Sequence, residues 1–245
     1  MKSSTLPIRK TDPIVILTGA GISAESGLKT FRAGDGLWED HRVEDVATPE
    51  AFQRNPDLVQ RFYNARRRQL KDAAVKPNAA HLALADLQKK WKAPALIVTQ
   101  NVDNLHERAG SEAVIHMHGE LNKVRCLKCG EVSAWEDDLE DKSKCGSCEA
   151  VGQLRPHIVW FGEIPLEMEE IDEALSYAGL FLSIGTSGLV YPAAGFVQVV
   201  RSVGHAHAVE LNLEPTSSSS LFHEHRVGSA SETVPQIVKE ILSCA

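Results

Sequence analysis

Four cysteines in two close pairs carry a clear chemical signal in this 245-residue sequence. Two residues separate the members of each pair, and fifteen residues lie between the pairs. This spacing is typical of zinc held by four thiolates, which leaves no coordination position open for catalysis. We therefore predict one structural Zn²⁺ ion bound by Cys126, Cys129, Cys145 and Cys148.

A histidine followed by glycine, His118-Gly119, is a candidate general base at the end of a short apolar segment, Val114 to Glu120. His116 is a second candidate. Strand alternation predicts that both imidazoles lie on the same face. The local pattern therefore leaves the choice between them open.

A glycine turn follows the apolar run Ile14 to Leu17, which is typical of a strand buried on both faces. Gly19, Gly21 and Ala24 have the spacing of a dinucleotide-binding turn, and Ile22 to Gly27 predicts the start of a helix. An ordinary dehydrogenase would need a second strand about 20 residues later that ends in an acidic residue. The polar segment Lys29 to Asp45 instead predicts a long loop, a lid over a bound nucleotide, which carries Phe31, Arg32 and Trp38.

Three further apolar runs end in small or polar residues. Ala95 to Thr99 precedes Gln100 to Asn104, Leu180 to Ile184 precedes Gly185 to Ser187, and His207 to Leu211 precedes Asn212 to Glu214. In parallel α/β sheets, ligands bind beyond the carboxyl ends of the strands. These segments therefore predict the walls of one nucleotide site, although the polar residues after Thr99 could also only cap a helix.

Helical patterns alternate with these strands along the chain. One predicted helix begins at Pro49. The others span Pro56 to Leu70, Ala79 to Lys90, Leu105 to Ala109, Leu166 to Tyr177, Ala193 to Arg201 and Ser231 to Leu242. The alternation predicts an α/β fold, a Rossmann-like, doubly wound parallel sheet with a small domain that contains a zinc ribbon. We assign residues 1–27, 48–55, 77–118 and 158–245 to the large domain, 28–47 and 56–76 to a cofactor-binding loop and helical part, and 119–157 to the zinc module.

Tyr63 and Arg66 are three residues apart, so they share one face of a predicted helix. Because Arg66, Arg67 and Arg68 are consecutive, the pattern alone favours a solvated basic edge.

The composition is that of a globular protein, with 43% hydrophobic residues and a net charge of −7. The acidic balance, together with six acidic residues between Glu131 and Asp141, predicts no nucleic-acid partner. No apolar run is long enough to span a bilayer, and the first residues lack the apolar core of a secretory signal. We therefore expect a cytoplasmic protein without a membrane partner. The sequence does not indicate the oligomeric state, for which a monomer is our default expectation.

Five motifs in order resemble the sirtuin family of NAD-dependent protein lysine deacylases. They are GAGISAESGLKTFR, TQNVDNLHERAG, HMHGEL, the cysteine quartet, and GTS followed by NLEP. The resemblance extends from Ile14 to about Ala230. It implies that the acyl-lysine carbonyl oxygen attacks the ribose carbon that bears nicotinamide, and that water finally releases lysine and an O-acyl-ADP-ribose.

The resemblance also implies roles for individual residues. His118 is expected to be the catalytic base, with Asn101 as a second catalytic residue, while His116 is structural. Asn101 and Asp103 would hold the carboxamide and ribose, and Phe31 would shield the reactive sugar carbon. The expected NAD-binding residues are Gly19, Ala20, Gly21, Ser23, Ala24, Phe31, Arg32, Trp38, Gln100, Asn101, Val102, Asp103, Gly185, Thr186, Ser187, Asn212, Leu213, Glu214 and Ala230.

One branch of the family, which removes malonyl, succinyl and glutaryl groups, carries a Tyr-x-x-Arg pair and a small residue in the preceding turn. Tyr63, Arg66 and Ala47 match that pattern. An arginine fork pairs with a carboxylate, and a tyrosine hydroxyl adds a second donor. The resemblance therefore implies removal of succinyl and malonyl groups from proteins or peptides, and of acetyl groups as well. The expected substrate-binding residues are Ala47, Tyr63, Arg66, Val159, Trp160, Phe161 and Gly162.

The same NAD pocket would also suit mono-ADP-ribosyl transfer to protein. A non-catalytic module that senses NAD or binds through its zinc ribbon is a third hypothesis, which the complete motif set disfavours.

Overall fold

A computed structural model describes residues 6–28, 37–38, 41–203 and 206–244. The strands in these ranges are β1 (Ile14–Thr18), β2 (Leu37–Trp38), β3 (His41–Arg42), β4 (Ala95–Thr99), β5 (Val114–His116), β6 (Gly119–Cys126), β7 (Val132–Ala134), β8 (Leu154–Ile158), β9 (Leu180–Ile184), β10 (His207–Asn212) and β11 (Glu224–Val227). The α-helices are α1 (Val43–Val46), α2 (Pro49–Arg54), α3 (Pro56–Leu70), α4 (Ala79–Lys90), α5 (Leu105–Ala109), α6 (Met168–Tyr177), α7 (Phe196–Val203) and α8 (Ala230–Ser243). Shorter 3₁₀ helices span Ala20–Ser26, Ala193–Gly195 and Ser219–Leu221.

A parallel six-stranded sheet forms the centre of the fold, in the order β11-β10-β9-β1-β4-β5. β1 lies between β4 and β9, so that Ile16 is paired with Ile97 on one side and Leu182 on the other. The predicted parallel α/β sheet is confirmed. The strand at the edge, β11, was not predicted, because its sequence Glu-His-Arg-Val lacks the apolar character of the central strands.

The two faces of the sheet are covered by separate apolar clusters. Ile14 and Ile16 of β1 pack in the cluster that includes α4 and α8, whereas Val15 and Leu17 pack in the cluster that includes α6 and α7. Successive side chains of a strand point to opposite faces. A strand covered on both faces therefore needs a continuous apolar run, which is what the sequence of β1 provides.

A second, smaller sheet belongs to the cysteine module, with Cys126 at the end of β6 and the other three cysteines in the segments that connect its strands. It is antiparallel, in the order β7-β6-β8, and has its own small apolar cluster that includes Val124 and Leu139. Helix α3 is joined to this module by Asn64, whose side chain exchanges two hydrogen bonds with the backbone of Leu139, at 2.9 and 2.8 Å. The predicted zinc module is thus a sheet anchored on α3, while the division of the whole chain into the three sets of spans stays a prediction.

Helix boundaries follow the expected capping rules where the cap is local. The side chains of Thr48, Asn55 and Asn78 cap α2, α3 and α4 by accepting from the backbone of Ala51, Leu58 and Ala80. The helix predicted after the glycine turn is present as a 3₁₀ helix, Ala20–Ser26, which ends at Gly27, whose φ is +87°. Only glycine adopts this left-handed conformation at little cost.

The segment predicted as a loop between Lys29 and Asp45 contains regular structure in its described part. β2 and β3 form a small antiparallel pair through Trp38 and His41, and α1 begins at Val43. In the parts of the chain that the structure describes, none of the helices is long and apolar enough to cross a membrane.

Candidate active site

A cleft of about 760 Å³ lies at the carboxyl end of the parallel sheet. The turns after β1, β4, β9 and β10 all line it, as expected for an α/β sheet. Its size falls within the usual range of ligand pockets, roughly 300–1,000 Å³. Among the residues predicted for cofactor binding, its walls contain Gly19, Ala20, Gly21, Ser23, Trp38, Gln100, Asn101, Val102, Asp103, Gly185, Thr186, Ser187, Asn212, Leu213 and Glu214.

The glycines of this cleft are required by a close approach of two turns. Gly19 N donates to Ile184 O at 3.0 Å, and Gly21 N donates to Gly185 O at 2.9 Å. A Cβ atom on Gly21 would lie 2.7 Å from Gly185 Cα. The turns after β1 and β9 therefore touch through their backbones, which only glycine permits at these positions.

A buried polar network links the turns after β1 and β4. Ser23 Oγ donates to Asp103 Oδ2 at 3.1 Å and accepts from Asn101 Nδ2 at 3.2 Å, while the same amide donates to Gly19 O at 3.1 Å. Burial raises the pKa of Asp103, although hydrogen bonds from Leu105 N and Ser23 oppose that shift. The network fixes the orientation of the Asn101 amide and the Asp103 carboxyl at the floor of the cleft.

His118 lines the cleft with one ring nitrogen already occupied. Its Nδ1 lies 3.1 Å from Gln100 O. Because a carbonyl oxygen can only accept, Nδ1 carries the proton and Nε2 keeps its lone pair. Burial lowers the pKa of His118, partly offset by this hydrogen bond. The imidazole is therefore held neutral and in the tautomer that accepts a proton at Nε2.

His116 has both of its ring nitrogens engaged. Nδ1 lies 3.2 Å from Asn101 O, and Nε2 lies 2.7 Å from Glu107 Oε1. Burial opposes the charged form, but the hydrogen bond and charge of Glu107 outweigh it and raise the pKa of His116. An imidazole paired in this way has no free lone pair to act as a base. The segment has the predicted strand and turn, since β5 ends at His116, a turn at Met117 and His118 follows, and β6 begins at Gly119 with φ +82°.

One wall of the cleft is built by α3 and the segment after β8. Tyr63 and Arg66 of α3 line it, together with Ala47 and with Trp160. All four residues from Val159 to Gly162 reach the same cleft. The sequence-predicted substrate residues therefore line the same cleft as His118.

The solvated basic edge favoured by the pattern alone is wrong for this helix. Arg66 lines the cleft, Arg67 is fully buried, and only Arg68 is exposed. Arg67 donates to Leu121 O at 2.8 Å, to Asn64 Oδ1 at 2.8 Å and to Asp137 O at 3.2 Å. A consecutive run of arginines turns through about 100° per residue on a helix, so its members face different surroundings.

Some predicted residues do not reach this cleft. Ala24 is exposed on the 3₁₀ helix, and Ala230 begins α8 and packs against the core cluster on one face of the sheet. Neither lines the cleft. Phe31 and Arg32 lie outside the described residues.

Several cleft residues were not predicted. Leu189, Val190 and Tyr191 follow the Gly-Thr-Ser turn, and Thr216 and Ser217 follow Pro215. Glu163 and Pro165 continue the wall after Gly162. Each group directly follows a motif that the sequence analysis identified. Their positions next to these motifs could therefore have been used to predict that they line the cleft.

The four predicted zinc ligands meet at one point. Their Sγ atoms all lie within 4.8 Å of one another, and the pairs Cys126–Cys148 and Cys129–Cys145 are each 3.7 Å apart. Four sulfurs at the usual Zn–S distance of about 2.3 Å in a tetrahedron are about 3.8 Å apart. The geometry fits a closed, structural zinc site.

Comparisons with known proteins agree with this architecture. The family model described as "Sir2 family" matches residues 19–192. A curated relative named "NAD-dependent protein deacylase" from Escherichia coli (strain K12) is 61% identical over 229 residues, which are 94% of this chain and 82% of the relative.

Solved structures with the same fold contain ligands. A Sir2 homologue mutant in complex with ADP ribose is 35% identical, with a TM-score of 0.88 over 99% of this chain and 97% of that chain. A structure described as "Sir2-p53 peptide-NAD+" is 30% identical, with a TM-score of 0.75 over 93% of this chain and 92% of that chain.

Proposed function

The chain belongs to the Sir2 family, and on that basis we propose that it is an NAD-dependent protein-lysine deacylase. The products would be nicotinamide, free lysine and an O-acyl-ADP-ribose. The observation that carries the proposal is His118, a neutral imidazole that faces the cleft with its Nδ1–H held by Gln100 O. A general base needs this combination of an available lone pair and a fixed tautomer.

The cleft fits NAD as co-substrate. Its glycine turns allow a close backbone approach to a pyrophosphate, and its floor carries the buried Asn101 and Asp103. Bound NAD would supply the ribose carbon that receives the acyl oxygen as nicotinamide leaves. The residues proposed to hold it are the predicted set that lines the cleft, and we propose the same role for Phe31 and Arg32 on the family resemblance. Ala24 and Ala230, which do not line the cleft, stay predictions from that resemblance.

The remaining steps depend on the residues of this chain. His118 Nε2 would accept a proton from a ribose hydroxyl, because it is the unoccupied nitrogen of the ring. Asn101 and Asp103, fixed by Ser23, would orient the carboxamide and the ribose. The apolar residues of the cleft walls, such as Trp160 and Leu121, would limit the access of water to the reacting groups.

We further propose that acidic acyl groups, succinyl and malonyl, are preferred while acetyl groups are also removed. Arg66 and Tyr63 would bind the distal carboxylate, one as a charged fork and the other as a hydroxyl donor. Both lie on α3 one helical turn apart and line the cleft. The small side chain of Ala47 in the same wall would leave room for the longer acyl chain.

Arg66→Met tests this acyl preference. We expect the kcat/KM for a succinyl-lysine peptide to fall roughly 10- to 100-fold, since a charge-assisted hydrogen bond to the carboxylate is lost. Turnover of the matched acetyl-lysine peptide should survive. The measurement is nicotinamide release with both peptides.

Arg68→Met is the matched control, because Arg68 is an exposed arginine of the same helix, paired with Asp138 at 2.8 Å. It should leave the ratio of the two rates unchanged. If Arg66→Met lowers both rates equally, Arg66 has only a structural role and the protein is a general deacetylase. Radiolabel from NAD that remains covalently on a target protein, without free acyl-ADP-ribose, would instead indicate ADP-ribosyl transfer.

A further inference from the structure

The hydroxyl of Tyr63 has one hydrogen bond whose direction is unambiguous. Trp160 Nε1 lies 2.9 Å from Tyr63 Oη, and an indole nitrogen can only donate. Tyr63 Oη is therefore the acceptor, and this bond does not use the hydroxyl proton. Within the described ranges, no residue accepts that proton in turn. Tyr63 and Trp160 are both buried and line the cleft, so the hydroxyl lies in an enclosed part of its wall.

The Tyr63 hydroxyl is also a suitable donor. Burial raises the pKa of Tyr63, so the phenol keeps its proton throughout the neutral range. An O–H group that accepts one hydrogen bond becomes a stronger donor in the next, because the two bonds polarise each other. The bond from Trp160 therefore orients the hydroxyl and strengthens it as a donor.

Trp160 is itself held from two sides. The Arg155 guanidinium lies over its ring, 3.5 Å from the centroid, and Glu163 Oε2 accepts from its backbone N at 2.8 Å. Arg155 and Glu163 are joined by two hydrogen bonds of 2.7 and 2.9 Å. The ring face and the backbone of Trp160 are thus fixed by one ion pair, which fixes the position of Nε1.

We propose that Trp160, held by Arg155 and Glu163, is a positioning residue that directs the Tyr63 O–H proton to the carboxylate of an acidic acyl group. The inference rests on the acyl preference proposed above. It adds Trp160, which lies outside the Tyr-x-x-Arg pair, to the residues that determine how the carboxylate is bound. Arg66 would meet the same carboxylate from the next turn of α3. The carboxylate would then accept one hydrogen bond from the charged Arg66 guanidinium and one from the neutral, oriented Tyr63 hydroxyl.

A double-mutant cycle tests whether Trp160 positions the Tyr63 hydroxyl or only forms part of the wall of the cleft. The variants are Trp160→Phe, which removes the indole N–H, Tyr63→Phe, which removes the hydroxyl, and the double variant. kcat and KM are measured separately for succinyl-lysine and acetyl-lysine peptides. Replacing Trp160 with its benzothiophene isostere removes the N–H while keeping the shape of the ring. Trp91→Phe is the matched control, since the Trp91 indole N–H donates to Asp12 O at 3.0 Å outside the cleft.

With the succinyl peptide, each single variant should lower kcat/KM about five- to tenfold, mainly through KM, and the double variant should lose little more than either single one. With the acetyl peptide, the losses should be smaller and should multiply, because no carboxylate couples the two groups. The isostere should behave like Trp160→Phe. Trp91→Phe should leave the ratio of the two substrates unchanged.

The positioning role would be overturned if the succinyl losses of the two single variants multiplied, or if Trp160→Phe lowered both substrates equally. A similar change of ratio in Trp91→Phe would also overturn it. Failure of the acyl preference itself has a different signature: either the wild type does not turn over the succinyl peptide, or its selectivity does not depend on Arg66. In that case the acyl preference and the positioning role of Trp160 are both wrong. If the selectivity depends on Arg66 but the rates do not change in Trp160→Phe, only the positioning role is wrong.

Discussion

The choice between two histidines is made by the partners of individual ring nitrogens. His118 donates through Nδ1 to a carbonyl oxygen, whereas His116 is closed at both nitrogens by Asn101 O and Glu107. The two residues are two positions apart in the sequence and have the same intrinsic basicity. Their surroundings nevertheless lower the pKa of His118 and raise the pKa of His116.

The lowered pKa of His118 predicts the pH dependence of catalysis. Only the neutral imidazole accepts a proton, and its population increases with pH until the pH exceeds the pKa. Burial places this pKa below the usual value of 6.5. We therefore expect kcat/KM for formation of acyl-ADP-ribose to be level at neutral pH and to fall as the pH decreases through that lowered pKa.

His118→Ala should reduce the deacylation rate by a factor of about 10²–10⁴. His116→Gln, which removes the neighbouring imidazole, should keep the acid limb of the profile. Full deacylation by His118→Ala, or an acid limb that disappears in His116→Gln, would reassign the base.

At the scale of elements, α3 connects the cleft to the cysteine module. One face of the helix presents Tyr63 and Arg66 to the cleft, while Asn64 and Arg67 hold the backbone of the module. Among the described residues, the buried Arg67 guanidinium donates through Nε and one of its terminal nitrogens to oxygens of Leu121, Asn64 and Asp137, and not to a carboxylate. Burial lowers the pKa of Arg67 to about 10, with the charge of Asp138 opposing the shift. At neutral pH the side chain stays charged.

Two adjacent arginines of α3 should differ in their contribution to stability. Arg67→Met removes the donor to the buried Leu121 carbonyl and the part-buried Asp137 carbonyl, and should lower the free energy of unfolding by roughly 2–4 kcal/mol. Arg68→Met breaks only an exposed ion pair with Asp138 and should cost less than about 1 kcal/mol. Urea unfolding of both variants measures the difference. Equal losses would mean that the buried hydrogen bonds of Arg67 do not anchor the module.

Removal of zinc should affect both the module and the cleft. A thiol-reactive chelator should unfold the cysteine module, because loss of the metal removes the bonds that join the end of β6 and the loop after it to the segment between β7 and β8. Activity should disappear with it, since the module is hydrogen-bonded to α3. Metal analysis should find one zinc per chain, and limited proteolysis after chelation should cut within residues 119–157. Fully active protein with much less than one zinc per chain would contradict this role.

At the scale of the whole molecule, the cleft exists because turns from distant parts of the chain meet at one edge of the sheet. The turn after β1 touches the turn after β9 through Gly21 and Gly185. The side chain of Asn212, the last residue of β10, donates to Thr186 O at 2.7 Å and joins the end of a third strand to these turns. The position of the cofactor walls therefore depends on contacts among the carboxyl ends of three strands.

Gly21→Ala should separate these turns. The added Cβ would lie 2.7 and 2.8 Å from Gly185 Cα and O, and backbone atoms cannot move aside as a side chain can. We expect the free energy of unfolding to fall by roughly 1–3 kcal/mol and the KM for NAD to rise. Gly146→Ala is the matched control, because a Cβ there meets no atom within 4 Å. An unchanged KM for NAD in Gly21→Ala would show that the turn tolerates the displacement.

The sequence by itself determined the features that depend on neighbours along the chain. Apolar runs buried on both faces, the caps at Thr48 and Asn78, and the spacing of the cysteines are local patterns, and the parallel α/β fold with a cysteine module follows from them. The strand–turn–helix at Gly19 and the polar strand ends likewise predicted where the cleft lies.

The tertiary structure decided the features that depend on residues far apart in sequence. His116 and His118 are distinguished by Glu107 and Gln100, and burial of Arg67 depends on Asp137, 70 residues away. The bond between Tyr63 and Trp160 spans 97 residues. Protonation, burial and hydrogen-bond direction are set by all atoms that surround a group in space, so no local pattern could specify them.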